Sequence, residues 1–203
     1  AMTGHAGGVI TLALAEADDA EREARRTALG EPERTLLGHF RHEIGHYWWD
    51  RLVADREGTE AFRALFGDER ADYGEALARH YRDGAPPDWP LAHVSAYAAC
   101  HPWEDFAETW AHWMTMVDTL ETAHAFGLGL APHGAGGDLA VALDFDPAHP
   151  VPFARLAEAW PSLTVALNAL SASLGRRDLC PVVLGPTTFA KLAFVDGLVR
   201  GAM

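Results

Sequence analysis

His42, Glu43 and His46, in the stretch "GHFRHEIGHYWWD" from Gly38 to Asp50, are the residues whose types and spacing can do chemistry. Histidines four apart on a helix stand about 40° from each other around its axis, so both imidazoles can meet one ion. Glu43, one residue on from His42, can reach a water on that ion without ligating it. Leu37, Phe40, Ile44 and Trp48 form a separate apolar stripe, which predicts a helix that buries one side and turns its histidines to a cleft. Gly45 costs helix propensity inside the motif and so predicts a close backbone approach there. An accidental match on a solvated face is the plain alternative. Three such residues in a helical context favour a metal site, with zinc as the metal.

A catalytic zinc takes a third protein ligand and keeps an open position for water. No histidine follows the motif closely, since the next residues are Tyr47, Trp48, Trp49, Asp50, Arg51 and Leu52. The segment "HPWEDFAETWAHW" (His101 to Trp113) is the evident supplier. Trp103, Phe106, Trp110, Trp113, Val117 and Leu120 recur at helical spacing and predict the core stripe of that helix. Glu104, Glu108 and His112, spaced by four, occupy the opposite side. On an isolated helix they would read as a solvated face, but an HExxH helix still short of a ligand turns the preference towards ligation.

Taken together, the HExxH block and the acidic helix resemble the gluzincin pattern of zinc peptidases. The stretch "YAACHPWEDFAETW" is similar to the region around the third ligand in anthrax lethal factor-like peptidases. Nearly the whole chain resembles a bacterial family of zinc-binding metallopeptidases, whose members often carry an N-terminal zinc ribbon that is absent here. The resemblance implies that His42, His46 and Glu104 are zinc ligands and Glu43 the general base. It also implies that the Tyr97 hydroxyl stabilises the oxyanion and that Glu108 accepts a hydrogen bond from a ligand histidine. Asp105, His101 and His112 stay open as rival ligands, and a packing tyrosine is the alternative for Tyr97. The implied fold is a zincin-like metalloprotease, α+β and mostly helical, with a small sheet and an HExxH active-site helix. The implied activity is hydrolysis of peptide bonds in a peptide or protein substrate. A non-hydrolytic zinc-binding protein or interaction module using the same residues is the competing class, and four protein ligands instead of three would mark it.

The elements that must position these groups follow from the rest of the pattern. "GGVITLAL" (7–14) predicts a strand, either an ordinary sheet strand or an edge that pairs with extended substrate. A charged helix is expected over 16–31, and the HExxH helix from Pro32 to about Ala54. Shorter helices are expected over 59–66, 69–81 and 91–99, longer ones over 102–126 and 153–174, and a last helix near 189–199. Residues 127–138 read as a loop, and "DLAVALDF" as one more short strand. The "DGAPPDWP" break at 83–90 is a candidate lobe boundary within a single catalytic domain spanning 1–203.

With 203 residues the chain can bury a real core. A formal charge of −13 argues against a nucleic-acid partner, since phosphate binding relies on clustered Lys and Arg. No apolar run is long enough for a membrane span, and the first residues lack the pattern of a signal peptide. Cys100 and Cys180 are read as free thiols of a reducing compartment, with a single disulfide as the alternative. Those readings make the cytoplasm the expected location.

Overall fold

Thr35 starts the helix that carries the histidines. Its extended backbone and its hydroxyl, which accepts the Gly38 amide N–H at 2.9 Å, set the start of helix α1, Leu36–Leu52. The computed structural model describes residues 3–13, 18, 35–54, 58–133, 139–180 and 183–201. Pro32 and, apart from Asp18, the charged helix expected over 16–31 lie outside them. Helices α2 (Thr59–Phe66), α3 (Tyr73–Asp83), α4 (Pro102–Ala125), α5 (Phe153–Ser173) and α6 (Pro186–Arg200) follow. Among the described residues the strands form two antiparallel hairpins, β1 (Gly4–Ala6) with β2 (Val9–Thr11) and β3 (Gly129–Leu130) with β4 (Val141–Ala142). The protein is therefore mostly helical α+β with two small sheets.

Several boundaries differ from expectation for identifiable reasons. Gly7 and Gly8 do not open a strand: with φ of 56° and 83° they make the two-residue turn between Ala6 and Val9, so the strand shrinks to β2. α3 begins at Tyr73 because the Asp72 carboxylate accepts the Glu75 N–H at 2.8 Å, which makes Asp72 the cap. The helix expected over 91–99 is replaced by 3-10 turns at Trp89–Leu91 and Ala98–Cys100. Ser95 Oγ accepts the Ala98 N–H at 3.0 Å and closes a local turn where a helix would have continued.

The chain divides into two compact units, one of residues 1–112 with 184–203 and the other of 113–183. Residues 83–90 lie inside the first. In that unit a buried aromatic group ties α2, α4 and α6 together: Phe66 stacks on Phe62 at 4.9 Å and meets Phe106 and Phe194, each at 5.7 Å. Lys191 of α6 is buried there too, donating to Asp105 at 2.6 Å and to the Ala92 carbonyl at 2.7 Å. α1 buries Glu43, Gly45 and His46, whereas Leu37, Phe40 and Trp48 of the expected core stripe are exposed and Ile44 is half-buried. The reason is the contact at Gly45: a Cβ there would sit 2.8 Å from the Ala107 Cα, so α1 and α4 touch backbone to backbone along the histidine face. In the second unit α5 packs on the β3–β4 hairpin, with Leu143, Leu156, Ala159, Trp160 and Leu163 buried.

Candidate metal centre

His42 and His46 stand on successive turns of α1, and Glu104 lies in the first turn of α4. His42 Nε2 is 3.0 Å from His46 Nε2 and 3.0 Å from Glu104 Oε2, and His46 Nε2 is 3.4 Å from the same oxygen. These three form the one group of convergent His, Cys, Asp or Glu donor atoms found among the described residues. A tetrahedral zinc with bonds of about 2.05 Å holds its ligand atoms about 3.3 Å apart, so the spacing fits that ion. Glu104 Oε2 is buried and makes no hydrogen bond, although two imidazole nitrogens lie within 3.4 Å. It faces the space between the rings. Such an oxygen is costly to bury unless a cation takes it.

The surroundings favour positive charge at that point. Burial opposes a charge on His42, yet the carboxylates of Glu104 and Glu108 beside it outweigh burial and raise the imidazole pKa well above its ordinary value. Burial lowers the pKa of His46, whose ring stacks on Trp103 at 3.7 Å. Burial would raise Glu104, but the two imidazoles hold its carboxyl well below the usual carboxylate range. Glu43 is only 7% exposed, and its Oε2 has no hydrogen-bond partner. Burial raises its pKa, with His42 working against the shift and Glu104 adding to it. A carboxylate so placed is suited to exchange a proton with a neighbouring water.

The start of α4 is fixed from outside the helix. His101 Nδ1 accepts the Trp103 N–H at 3.1 Å, while its Nε2 lies 3.0 Å from the Ala71 carbonyl, which fits an N–H donated there. Glu108, one turn beyond Glu104, lies 2.6 Å from His42 Nδ1, so that nitrogen carries a proton and Nε2 is the atom left to meet a metal. Ser95 donates to the other Glu108 oxygen at 2.6 Å.

The fold thus brings His42, Glu43, His46, Glu104 and Glu108 together. Tyr97 joins them, its ring centroid 6.1 Å from that of His42. Burial, together with the charge of Glu104, raises the pKa of its hydroxyl and keeps it a donor. The rival ligands are engaged elsewhere: Asp105 pairs with Lys191, His101 caps α4, and His112 is buried outside the convergent group. Trp103 faces His46 and not the core stripe expected for it. Cys100 and Cys180 are not joined in a disulfide, and burial pushes the Cys100 thiol up to about 12. No motif or periodicity in the sequence marks Ser95 or Tyr73. The Tyr73 hydroxyl donates to Glu104 Oε1 at 2.8 Å across 31 positions of chain, a separation that no local spacing encodes.

Residues 1–198 match the model of a family described as "Putative zinc-binding metallo-peptidase". An uncharacterized protein of Mycobacterium tuberculosis strain H37Rv is 46% identical over 198 residues, which is 97% of this chain and 56% of that protein. An uncharacterized protein of Mycobacterium bovis matches with the same identity and the same coverage of both chains. The chain therefore spans about half the length of the curated relatives it matches. No solved structure matches it. The chain belongs to the zinc-binding metallopeptidase family that its sequence matches.

Proposed function

We propose, with that membership as premise, that the protein hydrolyses peptide bonds at a zinc ion held by His42, His46 and Glu104. The observation that carries this is the convergence of three donor atoms 3.0–3.4 Å apart, with the buried Glu43 carboxylate beside them. Three protein donors, where a closed structural site would use four, favour an enzyme over a non-hydrolytic zinc protein. A ligand glutamate on a second helix supports the gluzincin type within a zincin-like catalytic domain.

When bound, zinc acidifies water and polarises a substrate carbonyl. Glu43 accepts the proton released as water attacks that carbonyl, then delivers it to the departing amine. Tyr97 donates a hydrogen bond to the carbonyl oxygen as negative charge develops there. Glu108 holds His42 in the tautomer that presents Nε2, and Ser95 steadies Glu108. The outer edge of β2 is the candidate for pairing with an extended substrate. A peptide-bound structure with no backbone contact to residues 9–11 would remove that part of the proposal.

The test of the reaction is Glu43→Gln, assayed on a mixed peptide library with zinc content measured in parallel. Zinc should stay stoichiometric while turnover falls by about 10²- to 10⁴-fold. Undiminished hydrolysis would remove Glu43 as the base.

A further inference from the structure

We infer that Tyr73 is a positioning residue that holds Glu104 to one oxygen at the metal and so keeps a coordination position open. The inference rests on the zinc reading above. A carboxylate can offer a metal one oxygen or both, and a zinc that must also take water or substrate has no room to spare. Here the two oxygens of Glu104 face different partners. Oε2 lies 3.0 and 3.4 Å from the Nε2 atoms of His42 and His46, whereas Oε1 accepts the Tyr73 hydroxyl at 2.8 Å. That hydrogen bond occupies Oε1 and fixes the rotation of the carboxylate about its last bond.

Tyr73 is itself held by the segment that carries Glu104. It is the first residue of α3, directly after the Asp72 cap. Two residues earlier, the Ala71 carbonyl lies 3.0 Å from His101 Nε2, and His101 also caps the α4 N-terminus through the Trp103 amide. The Tyr73 ring meets His101 edge-on at 5.4 Å and Trp103 edge-on at 5.8 Å. The hydroxyl is thus referenced to the backbone around Glu104 from both sides. A neutral donor suits the place, because Glu43, Glu104 and Glu108 already crowd the site with carboxylates, and a lysine or arginine there would compete with the metal for them. Tyr97, whose ring lies near His42, also acts on the Tyr73 hydroxyl as a hydrogen-bond donor, so the two tyrosines adjoin beside Glu104.

The experiment compares wild type, Tyr73→Phe and His42→Ala as full chains. It reads zinc affinity by competition with a chromophoric chelator, the visible absorption of the cobalt-substituted protein, and the Tm of the metal-free form. Losing the hydroxyl leaves Oε1 of the buried Glu104 without its donor, so the metal-free Tm should fall by a few degrees. Zinc affinity should fall by about 10-fold, in line with other residues that orient ligands. The cobalt d–d bands should weaken as Glu104 turns both oxygens to the ion. Unchanged affinity and an unchanged cobalt spectrum in Tyr73→Phe, with His42→Ala losing the metal, would overturn the role of Tyr73 alone. An affinity that falls while the cobalt spectrum stays as in wild type would reduce Tyr73 to a residue that only stabilises the fold around Glu104 and overturn it as well. Zinc binding unaffected by His42→Ala would overturn the site and the inference together.

Discussion

The two units bury different kinds of polar residue. The first buries eight ionisable side chains, Glu43, His46, His101, Glu104, Asp105, His112, Lys191 and Asp196, along with Thr109 and Thr188. The buried polar side chains of the second are Ser162, Thr164, Asn168 and Ser171, none of which carries a charge. Backbone groups nearby satisfy three of these: Thr164 donates to the Trp160 carbonyl, Ser171 to that of Arg177, and Asn168 bonds the chain at 179–180. Neutral groups satisfied in this way cost little to bury and serve to close turns. Buried charges cost several kcal/mol each and need specific partners. Their concentration in the first unit, around one cluster of donor atoms, marks where function overrides stability.

Breaking the Lys191–Asp105 pair should give the largest loss of stability. Lys191→Met leaves the Asp105 carboxylate buried without its cation and should cost about 3–5 kcal/mol in chemical denaturation. Pairing it with Asp105→Leu should recover much of that. A double variant no more stable than the single one would show that the pair does more than neutralise charge. In the second unit, Asn168→Ala removes bonds to the Cys180 carbonyl and to the amides of Leu179 and Cys180. It should cost about 1–3 kcal/mol and leave zinc affinity untouched; a change in zinc binding would break the contrast between the units.

The smallest expected change in stability comes from Gly45→Ala. A methyl group 2.8 Å from the Ala107 Cα must push α1 off α4. Overpacking of this kind costs about 1–3 kcal/mol, and the better helix propensity of Ala returns about 1 kcal/mol. Because the same contact sets His42 and His46 opposite Glu104, zinc affinity should weaken even though the net stability change is small. Stability and affinity both at wild-type level would mean that the helices have slack at this crossing.

What was legible in the sequence follows the range of the interactions. The spacing of His42 and His46 sufficed to put both on one helical face, and the repeat of Glu104 and Glu108 sufficed for α4. Gly45 was legible as a close approach, though not its partner Ala107. The inward face of α1 was misread because hydrophobicity did not choose it. The face with Gly45 turns to α4 and takes Glu43 and His46 with it, leaving Leu37, Phe40 and Trp48 exposed. The Gly7–Gly8 turn was misread as a strand start, although adjacent glycines suit a hairpin, because the short strand before it held only Gly4, His5 and Ala6. Tyr73 and Ser95 reach their glutamates across the fold from the flanks of short elements, where neither periodicity nor a motif points to them.

The most direct test of the central claim is a crystal structure of the zinc-loaded protein with anomalous data collected at the zinc edge. A single peak bonded to His42 Nε2, His46 Nε2 and Glu104 Oε2, with a non-protein fourth ligand and Glu43 beside it, is the predicted result. A peak elsewhere, or one closed by a fourth protein ligand, would contradict it.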